Sequence, residues 1–148
     1  MTFTDDERKK LKQYVEEGGA ILAEACCSKK EFDESFRALI AELWPARHLQ
    51  PLPADHPIYM EPRPLKELKP RIEGLAVGDD PKRLGVLYLP KGISCEWERG
   101  EASARPALNV AANIFFYVNR ANHGKTPAEL KHERLAPPEG AEPPAPKE

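Results

Sequence analysis

Gly18-Gly19-Ala20-Ile21-Leu22-Ala23-Glu24-Ala25-Cys26-Cys27 is the stretch on which the fold turns. A glycine pair followed by residues that are apolar except for Glu24 reads as a tight turn feeding a short strand. A run of this kind predicts a strand buried on both faces by flanking helices. Upstream, Thr4-Asp5-Asp6-Glu7 has the form of a capping box, in which the Thr4 hydroxyl accepts from the Glu7 N–H and the Glu7 carboxylate accepts from the Thr4 N–H. Leu11, Tyr14 and Val15 then fall at helical spacing, and Gly18-Gly19 offers a left-handed C-cap. A helix of about 14 residues is therefore expected before the strand. Helix, glycine turn and strand together form half of a β-α-β unit.

Downstream, a second helix is expected from Ser28, with Glu31 completing another capping box. Phe32, Phe36, Leu39, Ile40, Leu43 and Trp44 form one wide apolar stripe, the face of a helix that packs on a sheet, and Pro45 ends it. Residues 45–70 carry seven prolines, too many for a central strand or a long helix. A loop of that length in a compact domain covers something or serves the function. Residues 72–77 and 84–89 flank Gly78-Asp79-Asp80-Pro81 and read as a β-hairpin. After Pro90 a glycine loop leads to Ile93-Ser94-Cys95-Glu96-Trp97. A last helix, expected over 103–120, carries Leu108, Ala111, Ala112, Phe115 and Val118 on one side and stays apolar around most of its circumference through Ile114, Phe116 and Tyr117, so it is expected to be well buried. The order of elements, α-β-α-(long loop)-β-β-α, is that of an α/β layered domain.

The chain has 148 residues, enough for one domain, expected over 3–122. Beyond it, 123–148 is expected to be a disordered tail. Its only bulky apolar residues are Leu130 and Leu135, and prolines stand at 127, 137, 138, 143, 144 and 146, too little apolar surface to offset the ordering entropy. The net charge is −2 with acids and bases interleaved. No basic stripe offers itself to nucleic acid. The three cysteines are an odd count with two adjacent, which points to free thiols in a reducing, cytoplasmic setting. The N-terminus lacks the apolar core of an export signal, and no run of about 18 apolar residues suggests a membrane span.

Several pieces form a pattern together: Glu7, Leu11, Gly18-Gly19 and Ile21-Leu22; Phe32-Asp33 and Phe36-Arg37; Leu52-Pro53 with Asp55-His56-Pro57-Ile58-Tyr59; Cys95-Glu96-Trp97-Glu98; and Ala112-Asn113-Ile114 with Tyr117. In this combination, over about residues 4–119, the chain resembles the bacterial domain-of-unknown-function family numbered 4159. That family is itself similar to class I glutamine amidotransferase-like domains. The resemblance implies a flavodoxin-like parallel sheet with helices on both faces. Members begin with additional strands ending in a Gly-His turn, which this chain lacks, so it looks like the C-terminal part of a family domain with one open sheet edge. Members also carry two acids after the first Gly-Gly strand, where this chain has Glu24-Ala25.

In open α/β sheets ligands sit beyond the carboxyl ends of the strands. Glu24, Cys26 and Cys27 are expected there, at the position the resemblance gives to the amidotransferase nucleophile. Cys26 or Cys27 with His56 as base and Glu24 beside them would make a cysteine-dependent hydrolase. Against this, Ala25-Cys26-Cys27-Ser28 lacks the glycines of a nucleophile elbow, and small residues packing a strand-to-helix junction account for it as well. Asp55, His56, Cys95, Trp97, Glu98 and Asn113 are the expected pocket residues. Asp55 and His56 would shape the proline loop, Trp97 would lie over the sheet end, and Asn113 would hydrogen-bond the 90–98 loop. A zinc site from Cys26 or Cys27, His56 and Cys95 lacks any close paired spacing, and neither metal nor cofactor is expected. The leading expectation is a non-catalytic binding or assembly domain that meets a protein partner, or its own copy, through an open sheet edge. The cysteine-dependent enzyme is the alternative.

Overall fold

The computed structural model of the chain describes residues 3–78, 80–98 and 101–123. Helix α1 runs Asp5–Glu16 and begins with the expected capping box: Thr4 Oγ1 accepts from the Glu7 N–H while the Glu7 carboxylate accepts from the Thr4 N–H. Gly18 takes φ 113° at the turn, and β1 follows over Ile21–Glu24. Helix α2 spans Lys30–Leu43 and α3 spans Glu101–His123. Between them lie β2 (Gln50–Pro51), β3 (Glu73–Ala76) and β4 (Leu84–Leu89). The expected tail falls outside the described residues.

The four strands form one sheet in the order β1-β4-β3-β2. β3 and β4 make the expected antiparallel hairpin, and β2 joins β3 antiparallel at the far edge, where a proline costs no ladder bond. β1 pairs β4 in parallel, from Ile21 opposite Val86 to Glu24 opposite Leu89. Only one of the three pairings is parallel, so the sheet is mixed rather than parallel throughout. β1 is an edge strand. The expectation that it is buried on both faces fails, because Leu22 stands 53% exposed.

β4 is buried along its whole length and organises both sides of the sheet. Val86 and Tyr88 pack with Leu75 and Val77 against Val15 of α1 and Phe36, Leu39, Ile40 and Leu43 of α2. Leu87 and Leu89 pack against Ala107, Val110 and Ile114 of α3 together with Ile58, Tyr59 and Ile72, so α3 is buried along this face alone, and the expectation of burial around most of it fails at Leu108 and Phe115, both exposed. Strand alternation alone would put Leu84 with Val86, yet it joins the α3 side. The register explains it. Leu75 pairs with Val86 but Ala76 pairs with Leu84, leaving Gly85 as the extra residue of a bulge. A Cβ at Gly85 would stand 2.6 Å from Val15 Cγ1, so α1 crosses β4 where a side chain is missing.

α2 starts later than the sequence suggests. Cys26–Ser28 form a 3-10 turn, Ser28 has φ 54°, and the helix is entered from Lys29 without a side-chain cap. The Ser28–Glu31 capping box is therefore not formed, because a left-handed residue cannot take the extended conformation of an N-cap. Instead α2 is tied to the sheet by a polar network. Arg37 donates to both oxygens of Glu73, at 2.7 and 3.2 Å, and to Asp33 at 3.0 Å, while the Tyr88 hydroxyl donates to Asp33 at 2.7 Å. Arg71 closes on Glu73 from the other side at 2.8 Å. The Arg37 guanidinium holds the Asp33 carboxyl below its ordinary range.

Glu73 is only 1% exposed, so removing a partner leaves a buried charge short of compensation. Arg37→Met keeps the apolar stem and should lower unfolding stability in urea by about 1–3 kcal/mol, a range reduced for the partial exposure of Arg37. Lys30→Met breaks an exposed pair with Glu34 and should cost under about 0.5 kcal/mol.

Candidate functional site

β1 and β4 end side by side, and the residues that follow each turn towards the other. After β1, Ala25 is fully buried and its N–H donates to the Leu89 carbonyl at 3.0 Å. After β4, the Gly92 N–H donates back to the Ala25 carbonyl at 3.0 Å. Glu24 completes the junction. Its carboxylate accepts from the N–H groups of Ile93 at 3.1 Å and Ser94 at 3.3 Å, and from the Ser94 hydroxyl. Both carboxylate oxygens are thereby used to cap the 3-10 turn Ser94–Glu98 that carries Cys95. Glu24 acts as a structural clamp at the position expected to hold an acid or base.

The clamp brings the three thiols together. Cys26 Sγ lies 3.6 Å from Cys27 Sγ and 3.4 Å from Cys95 Sγ, and Cys27 Sγ lies 3.8 Å from Cys95 Sγ. Adjacent residues of an extended chain point to opposite sides, so two neighbouring cysteines converge only if the backbone folds back. It does so at Cys27, with φ 55°, and Ser28 follows at φ 54°, two consecutive left-handed non-glycine residues costing about 1 kcal/mol or more each. Cys26 and Cys27 are exposed and Cys95 half-buried. The reading of Cys26 and Cys27 as small residues filling a junction therefore fails; buried Ala25 takes that part. Hydrogen bonding to Cys95, and then to Cys27, pushes the Cys26 thiol up to about 11, opposite to the shift that activates a nucleophile.

His56 belongs to a different place. Its Nδ1 accepts from the Ile58 N–H at 3.3 Å, capping the 3-10 turn Pro57–Tyr59. Its ring packs on Tyr117 with centroids 4.9 Å apart. The Tyr117 hydroxyl donates to the Lys82 carbonyl, ahead of the first residue of β4, whereas the thiols lie past the last. The six residues of β4 span roughly 20 Å. The His56 neighbours Pro57 and Tyr117 line a cleft of about 360 Å³ with Glu61, Asp80, Lys82, Phe116 and Arg120, and among the described residues no imidazole joins the three thiols. Asp55 is exposed beside His56.

Asn113 is fully buried and corrects a further expectation. Its Nδ2 donates to the carbonyls of Ile58 at 3.0 Å and Arg63 at 2.7 Å, so it pins the proline loop to α3 rather than holding the 90–98 loop. Tyr59 fastens the same loop to the sheet, its hydroxyl donating to the Pro70 carbonyl at 3.1 Å and accepting from the Ile72 N–H at 3.2 Å. The side chains of Trp97 and Glu98 lie outside the described residues. Sequence reasoning missed the clamping role of Glu24 and the partnership of His56 with Tyr117. Only the presence of Tyr117 in the family pattern hinted at the second.

A family model described as Domain of unknown function (DUF4159) matches residues 1–118, and no curated protein or solved structure matches the chain.

Burial lowers the basicity of His56, outweighing the opposing pull of Asp55. A histidine whose folded pKa is depressed stabilises the fold in its neutral form, so its contribution is full above about pH 6.5 and is lost as pH falls through the lower folded value. Protonation also removes the Nδ1 acceptor of the Ile58 N–H. His56→Asn retains a capping acceptor without the titration. Between pH 7 and pH 5 the chemical-denaturation midpoint of the native chain should fall further than that of His56→Asn.

Proposed function

The chain belongs to the family described as Domain of unknown function (DUF4159), and we propose that it is a non-catalytic binding or assembly domain of class I glutamine amidotransferase-like, flavodoxin-type layered architecture. Helices on both faces of a sheet with a parallel β1–β4 pair, and a site where those two strands end, support that architecture. Three thiols without a disulfide among them suit a reducing, cytoplasmic setting.

One observation carries the non-catalytic reading. Among the described residues, the acid and the base expected to serve the strand-end thiols are engaged elsewhere, Glu24 in the Ile93–Ser94 turn and His56 against Tyr117. A cysteine hydrolase needs thiol and base within hydrogen-bond reach. For assembly, the chain offers the outer edge of β1, unpaired among the described residues, with exposed Leu22, and exposed Leu108 and Phe115 on α3.

The strained Cys27 at a strand end favours the cysteine-dependent enzyme as the second reading. Iodoacetamide labelling of the reduced, metal-free chain separates the two. The binding-domain reading predicts slow labelling at all three positions near pH 6, rising only in the alkaline range. One thiol labelled rapidly near pH 6, with the fast phase lost in Cys27→Ser or Cys26→Ser, would establish the enzyme instead.

A further inference from the structure

We infer that Cys26, Cys27 and Cys95 form a three-thiolate site for a thiophilic closed-shell cation of the zinc class, with the fourth coordination position open to solvent. The inference goes beyond the binding-domain reading, and it stands on the arrangement of the sulfurs rather than on sequence spacing.

The three sulfurs form a nearly equilateral triangle with edges of 3.4, 3.6 and 3.8 Å. Zinc–sulfur bonds of about 2.3 Å place tetrahedral sulfurs roughly 3.8 Å apart and planar three-coordinate sulfurs roughly 4.0 Å apart. The triangle is already close to one face of a ligand tetrahedron, and an expansion of a few tenths of an ångström completes it. Among the described residues, these three are the group of cysteine, histidine and acidic side chains that converges closely enough to share an ion.

The donor set decides the chemistry. Thiolates select zinc, monovalent copper and similar soft ions, whereas calcium and magnesium require oxygen. The Glu24 carboxylate is already taken up, its oxygens accepting from the Ile93 and Ser94 N–H groups and the Ser94 hydroxyl. Of the soft ions, zinc has the tetrahedral preference that this spacing suits.

Both arms of the site are held before any ion arrives. Glu24 fixes the turn bearing Cys95, and the Gly92-to-Ala25 bond ties that turn to the segment bearing Cys26. The Ser28 and Lys29 N–H groups close the other turn onto the Ala25 and Cys26 carbonyls, at 2.9 and 3.3 Å. The left-handed φ at Cys27 then has a purpose, since it puts two adjacent thiols on one side of the chain. Exposure of Cys26 and Cys27 leaves the fourth position to water or to a donor from a bound partner.

The test uses the full-length chain, reduced and metal-free, titrated with cobalt(II) and then zinc(II). One equivalent of cobalt should produce thiolate charge-transfer absorption and the visible bands of a tetrahedral site, and zinc should bleach them stoichiometrically. Cys26→Ser, Cys27→Ser and Cys95→Ser should each weaken zinc binding tenfold or more with the circular dichroism spectrum unchanged. In the unsubstituted chain, zinc should protect all three thiols from N-ethylmaleimide, a readout that does not depend on any variant folding. Absence of cobalt bands, unprotected thiols at saturating zinc, or undiminished zinc binding by the folded triple serine variant would each overturn the site.

Discussion

Burial of β4 on both faces is the constraint from which the rest of the structure follows. A strand enclosed along six residues must find apolar partners above and below it, and α1 and α2 supply one layer while α3 and the proline loop supply the other. The bulge at Gly85 lets one short strand serve both layers unevenly, turning Leu84 towards α3 and leaving room for α1 to approach. Its neighbours are unequal. β3 pairs with it as a hairpin, while β1 reaches it in parallel and remains half-exposed at the edge.

The two ends of β4 consequently have different chemistries. At its carboxyl end, two strands stop in register and their outgoing turns are bonded to each other, so residues 68 or 69 positions apart become neighbours. The product is a cluster of thiols carried by a strained but braced backbone. At the other end, α3 reaches Lys82 through Tyr117, and His56 lies against that tyrosine in a loop fixed by Asn113 and Tyr59. An acid, a base and a nucleophile that read as one set along the chain are thus divided between a brace, a loop cap and a cluster of thiols.

Local signals in the sequence carried the architecture well. The Thr4–Glu7 box, the apolar stripe of α2 and the two arms around Gly78 each depend on neighbours within a few residues, and each forms as read. The misreadings came from non-local competition. The apolar run 20–25 looks like a central strand because composition does not reveal which strand sits at an edge. Ser28 looks like a cap because the reversal at Cys27, which takes it out of extended geometry, depends on contacts with residues 92–95. Glu73 lies in an ordinary strand, and its burial becomes affordable only through Arg37 and Arg71. The convergence of Cys95 with Cys26 and Cys27 required the parallel β1–β4 register, which no spacing rule encodes.

We propose that the strand-end thiols act together as one ligand set and not as a nucleophile served by a base. Zinc K-edge X-ray absorption on the zinc-loaded chain addresses this directly. A three-thiolate site gives a first shell of three sulfurs at about 2.3 Å and one lighter scatterer. A shell of nitrogen and oxygen alone, or one containing a single sulfur, would contradict it.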